Sequence, residues 1–197
     1  MQKVSLKKGF TLVELLIVIG ILAVLATTAV VILNPAQLLA QARDGQRLSD
    51  MASIQSAIAL YMTDYSAPKV GPSLTECPNG GGAAGAGYRQ KAVTVDSFLH
   101  RPTTEVAVDT DRNVDGTGWI PVDFTDISGG TPLSILPIDP SNDTANDYVY
   151  RYACNYTNNT FELNAKLESL KYDDYMANTA DGGDASGFYE IGTSLNL

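Results

Sequence analysis

The run from Phe10 to Leu33 constrains this chain more than any other stretch, because its only charge is Glu14. The charge-free part, Leu15 to Leu33, rises about 28 Å as an α-helix, close to the roughly 30 Å hydrocarbon core of a bilayer. The spacing therefore predicts a membrane-spanning helix. Lys3, Lys7 and Lys8 precede the run, and no basic residue follows before Arg43. The positive-inside tendency then keeps the first residues in the cytoplasm and sends the rest outside. A carboxylate at the centre of such a helix costs about 2.5 to 3.5 kcal/mol. Glu14 sits near the start of the run, reaches toward the headgroups and costs less. Two readings stand. Glu14 is a shallow glutamate that snorkels with no further task, or it is a carboxylate that meets a cation inside an assembly. A cut between Gly9 and Phe10 would make that cation, a new terminal ammonium. On its own helix the ammonium is too close for good geometry, but a neighbouring chain's terminus could pair with Glu14.

The stretch Lys8-Gly9-Phe10-Thr11-Leu12-Val13-Glu14-Leu15 resembles the cleavage and methylation motif of type IV pilins and type II secretion pseudopilins, the class III prepilin-type signal. An ordinary secretory signal would have a shorter apolar core followed by a small-residue cleavage site. Ala23 and Ala26 could mimic such a site, yet the apolar run continues past them. The resemblance implies a prepilin peptidase that cuts after Gly9 on the cytoplasmic side, N-methylation of Phe10, and a need for Glu14 in assembly. It also implies the partners: further copies in a homo-oligomeric filament, related minor pilins or pseudopilins, the peptidase, and an inner-membrane assembly platform. The expected location is a single-pass inner-membrane precursor with its head outside, then a pilus or a periplasmic or cell-surface filament.

At 197 residues one globular domain is expected beside the anchor. The organisation expected is a leader at 1–9, a transmembrane and filament-core helix at 10–33, an amphipathic half of the helical spine at 34–65, and an extracytoplasmic head at 66–197. The net charge is −9, and removing the leader's three lysines leaves −12. That surface disfavours nucleic acid and suits divalent cations. Asn34-Pro35 ends or kinks the apolar run, since proline removes a helix hydrogen bond and disfavours helix at the residue before it. The helical pattern then resumes. Leu48, Met51, Ile54, Ile58, Tyr61 or Met62, and Tyr65 recur at steps of three and four, a stripe that packs against a domain. Arg43, Asp44, Arg47 and Asp50 lie among polar neighbours, and Gly45 is a point where the spine could bend. The run Ala42 to Tyr61 also resembles the pseudopilin branch.

Beyond Pro68 the chain reads as a small antiparallel β-sheet head, giving an α+β fold. Cys77 to Gly87 is a glycine-rich loop with no Gly-Lys-Ser/Thr to hold phosphate. Val93 to Val95 and Val106 to Val108 read as short strands. His100, the only histidine, has no nucleophile or ligand set near it in sequence. Asp111-Arg112-Asn113-Val114-Asp115-Gly116 matches the opening of a calcium loop, which makes Asp111, Asn113 and Asp115 candidate calcium ligands. The match then fails, because Val122 stands where a bidentate glutamate belongs, although Asp123 is adjacent. A second acidic turn, Asp181 to Asp184, resembles in position and composition the C-terminal calcium loop of major pseudopilins. Trp119, Ile120, Val122 and Phe124 read as a strand or strand edge around Pro121. Leu136-Pro137-Ile138-Asp139-Pro140 resembles the Leu-Pro-x-Asp-Pro element of the pseudopilins.

A hairpin is the clearest feature of the head. Tyr148, Tyr150, Tyr152 and Cys154 alternate with Val149, Arg151 and Ala153, and after the Asn155 to Asn159 turn Phe161, Leu163, Ala165 and Leu167 alternate with polar residues. That period predicts antiparallel strands with one buried face, packed on the helical stripe. Phe188, Tyr189 and Ile191 supply a further strand. In an oxidising exterior Cys77 and Cys154 suit a disulfide, worth about 4 kcal/mol in the loop-entropy model; two free thiols are the alternative. Asn142, Asn155 and Asn158 begin glycan-acceptor triplets. Taken together, the sequence points to a structural filament subunit. The alternative is a membrane-tethered binding module or adhesin steadied by calcium. No nucleophile–base–acid set stands out, so an enzyme is not expected.

Overall fold

The computed structural model describes residues 9–71, 87–89, 107–108, 111–176, 182–183 and 187–195. They fall into two compact units, one ending at Leu39 and one beginning at Ala40. The first unit holds α1, Leu12–Leu33, and none of its residues is buried. By length and composition it contains a window able to cross a membrane. Its two threonines hide their hydroxyls: Thr27 Oγ1 donates to the Ala23 carbonyl at 2.8 Å and Thr28 Oγ1 to the Leu25 carbonyl at 2.9 Å. Such back-bonding satisfies a polar group that lipid cannot. Asn34 breaks the helix for a single residue. It adopts the left-handed conformation at φ 41°, which asparagine tolerates, and Pro35 opens α2, Pro35–Asp64, where a missing N–H costs nothing. Helix α2 runs through Gly45 without interruption.

The second unit is built on the face of α2 that carries Met51, Ile54, Ala57, Ile58 and Tyr61, all buried. They form one core with Tyr150, Tyr152, Cys154, Phe161, Leu163 and Ala165, the hydrophobic face of the predicted hairpin. Each large apolar side chain so buried contributes about 1.5–3 kcal/mol. Leu48 is only half-buried and Tyr65 is exposed, so the stripe packs over its middle turns. The sheet contains β1, Gly87–Arg89, β2, Ala107–Val108, β3, Arg151–Asn155, β4, Thr160–Ala165, and β5, Tyr189–Gly192, in the order β2-β1-β3-β4-β5. β1 and β2 are parallel and the other pairs antiparallel. Tyr152 stands opposite Leu163 and Cys154 opposite Phe161. Val93 to Val95 lie outside the described residues.

Two expectations need correction. The stretch Trp119 to Phe124 is buried but is not a strand; it enters the core as irregular chain and ends in a 3-10 turn at Phe124–Asp126. Trp119 donates its indole N–H to the Pro137 carbonyl at 3.1 Å, and Gly118 approaches the Asn113 carbonyl so closely that a Cβ would lie 2.2 Å from it. That crossing takes the place of a ladder. Second, β3 and β4 are buried on both faces. Arg151, Asn155, Glu162, Asn164 and Glu190 all lie under other residues. Alternation reads one polar face as solvated, yet Phe188 stacks on the Arg151 guanidinium at 4.6 Å, Asp147 pairs with it, and Asn164 bonds both Glu162 and Glu190. Gly183 lies against the Glu190 carboxylate, where any Cβ would overlap it.

Candidate functional site

Gly9 and Phe10 precede the first helical residue in non-helical backbone, and Phe10 is 85% exposed. A Cβ built at Gly9 meets nothing within 4 Å, so nothing in the described chain requires glycine there. Thr11 caps α1. Its Oγ1 accepts from the Glu14 N–H at 3.2 Å, while its own N–H donates to Glu14 Oε2 at 2.8 Å and its hydroxyl to the same oxygen at 2.7 Å. This reciprocal capping box satisfies helix N–H groups that have no partner within the helix. It also turns the Glu14 side chain back toward Phe10. Both bonds go to Oε2, and among the described residues Oε1 accepts none. One carboxylate oxygen therefore holds the helix start, on a side chain that is itself exposed.

A family model, the prokaryotic N-terminal methylation motif, matches residues 5–30. The chain carries a prepilin-type signal. This is the class III signal of type IV pilins and pseudopilins, and it covers Gly9, Phe10, the capping box and most of α1. No curated protein and no solved structure matches the chain. The prepilin-type signal thus rests on a helix that the structure leaves uncovered along its whole length.

A second cluster, on α2, was not expected from the sequence. Asp44 and Arg47 read as polar positions, yet both are fully buried. Arg47 Nε donates to Asp139 Oδ2 at 2.7 Å and Nη2 to Asp139 Oδ1 at 2.9 Å, a two-pronged pair. Its Nη1 reaches Asp44 at 2.9 Å, its Nη2 reaches Glu168 at 2.6 Å, and its guanidinium lies 4.8 Å from the centre of the Tyr148 ring. Burial alone would lower the Arg47 pKa, but the bonds to Asp139, Glu168 and Asp44 outweigh it and raise it. Asp44 accepts the backbone N–H groups of Glu168 and Ser169 at 2.9 and 2.8 Å. Arg43, with its side chain 38% exposed, closes the outer side with a bidentate pair to Glu168. Burial pushes Glu168 up, and the bonds from Arg43, Arg47 and Ser141 hold it down to about 2. Asp139 belongs to the Leu-Pro-x-Asp-Pro element. Its partner on α2, Arg47, lies 92 positions earlier, so no local pattern announces the pairing.

The other sequence-predicted sites are less gathered. In the acidic turn Gly116 takes φ +81°, as the sharp bend requires. Asp115 Oδ1 accepts from the Thr117 hydroxyl and N–H, which lower its pKa, and Asn113 also bonds Thr117. Among the described residues no group of three His, Cys, Asp or Glu side chains could hold a metal ion. Cys154 is buried in the core face of β3. Cys77, His100, Asp181 and Asp184 lie outside the described residues. Asn155 is buried, so its side-chain nitrogen, the atom a glycan would take, is not presented at the surface.

Proposed function

We propose that the chain is made as an inner-membrane precursor, cut after Gly9, N-methylated at Phe10, and assembled through its apolar helix into a pilus or secretion pseudopilus as a structural subunit. The observation that carries this reading is the methylation motif on a helix with no buried residue. A bare apolar cylinder needs lipid or other helices around it. A glycine at position 9 that the described chain does not need for its own packing suits a peptidase that does. In the filament core the Glu14 carboxylate pairs with the Phe10 ammonium of a neighbour, and removing one partner of a buried pair costs about 3–5 kcal/mol.

Mass spectrometry of the amino terminus tests the processing: a methylated phenylalanine supports it, and an intact Gly9–Phe10 bond in functional protein sinks it in favour of a tethered binding module. Glu14→Ala is expected to permit insertion and cleavage but to weaken or stop assembly. Imaging a tagged copy on the cell surface separates pilus from pseudopilus, and the Leu136 to Pro140 element favours the latter. Calcium at Asp111, Asn113 and Asp115 belongs to the same proposal. It calls for a rise in unfolding midpoint with millimolar calcium that Asp115→Ala abolishes, and no shift would remove calcium from it. A Cys77–Cys154 bond calls for a non-reduced head lighter by two hydrogens.

A further inference from the structure

We propose that the turn of α2 carrying Arg43, Asp44 and Arg47 is a mechanical clasp, which takes up tension applied through the anchor before it reaches the apolar core. The inference rests on reading the chain as an anchored subunit, since only then does force enter the head along α2. Ala40 is the first buried residue of that helix, and Asp44 and Arg47 are the next. A pull from the amino-terminal side therefore loads these contacts first and Met51, Ile54 and Ile58 afterwards.

The two kinds of contact respond differently to load. Apolar packing is non-directional and gives way gradually. Hydrogen-bonded ion pairs are short and depend steeply on distance and angle. The clasp places them where peeling would begin. It also directs the load well. Asp44 grips the backbone at Glu168 and Ser169, just past β4, the strand paired with both β3 and β5. Arg47 grips Asp139 and Ser141, and Asp139 in turn accepts the N–H groups of Ser141 and Asn142 at 2.8 and 3.1 Å. One helical turn is thus tied to two separate loops, with the half-exposed Arg43 as the outer bond.

The test holds single full-length chains in detergent micelles under constant force, in two geometries. Handles at the two termini load the head through α2. Handles at Asn158, the exposed hairpin tip, and at the C-terminus load β4 against β5 first and put no pull on α2 from its amino-terminal side. Asp139→Asn is compared with Ile54→Val, a core change that touches no charge. Through the anchor, Asp139→Asn is expected to shorten the lifetime of the folded head about tenfold or more, equivalent to about 1.4 kcal/mol on the barrier. Ile54→Val should shorten it less. From the hairpin tip the two variants should lie within about twofold of each other. If Asp139→Asn fails to fold, Arg43→Gln carries the same comparison, with several-fold shortening through the anchor alone. Equal shortening in both geometries, or none through the anchor, overturns the clasp. Unassembled chains give this readout, so it fails or holds separately from cleavage and filament formation.

Discussion

Replacing Arg47 by methionine is the sharpest test of how the head is held on its helix. The variant keeps most of the side-chain stem and removes a guanidinium that contacts Asp44, Asp139, Ser141 and Glu168 at 2.6–3.0 Å. Breaking a buried ion pair costs about 3–5 kcal/mol. The lower end applies here, because each carboxylate keeps another donor: Asp44 the Glu168 and Ser169 N–H groups, Asp139 those of Ser141 and Asn142, and Glu168 the Arg43 side chain. Trp119, the only tryptophan and fully buried, reports unfolding by fluorescence. With an m-value of about 2 kcal/mol/M, a loss of about 3 kcal/mol moves the urea midpoint down by about 1.5 M. The pH dependence follows from Glu168. Its folded pKa, held at about 2, lies below the ordinary 4.5, so its contribution is complete above pH 4.5 and is lost as the pH falls toward 2. Without Arg47 that pKa rises, and less stability remains to be lost. The gap between wild type and variant should therefore be widest at neutral pH and narrow on acidification. A loss under about 1 kcal/mol at pH 7, or a gap that does not narrow in acid, would refute the reasoning.

Three further outcomes are expected. Tyr150→Phe removes the 2.8 Å bond to Asp50, half-buried and left with Gln46, and should cost about 1–2 kcal/mol in the same urea titration. Gly192→Ala would put a Cβ 2.1 Å from the Phe161 carbonyl; β4 and β5 must part, so a loss of about 1–3 kcal/mol and faster hydrogen exchange along β4 are expected. Thr11→Val removes the hydroxyl of the capping box and should cost the first turn of α1 about 1 kcal/mol, seen as faster amide exchange at Val13 and Glu14 in micelles.

The apolar helix α1, the middle of the apolar stripe and the hairpin turn were legible because each obeys a local period or a local breaker. Met51, Ile54 and Ile58 need only helical spacing, and the Asn155 to Asn159 turn needs only its composition. Asp44 and Arg47 were not legible. Charges three apart on a helix read as solvent-facing, and what permits their burial comes from far along the chain: Asp139 and Glu168 pair with Arg47, and the Glu168 and Ser169 N–H groups donate to Asp44. Arg151 misled in the same way, because Phe188 covers its face from the C-terminal side. The methylation motif around Gly9, Phe10 and Glu14 was readable as a pattern, but the capping box that ties Glu14 to Thr11 requires the geometry of the helix start.

The uniform exterior of α1 has a consequence for how it meets its surroundings. Its circumference is hydrocarbon on every side, its threonine hydroxyls are turned inward, and its one charge sits at the very start. Surrounded by lipid, such a cylinder would present the same kind of surface at every rotation about its long axis. Between packed helices the features that tell one side of it from another would be the notches at Gly20, Ala23 and Ala26 beside the bulk of leucine and isoleucine, together with the carboxylate of Glu14 near its start.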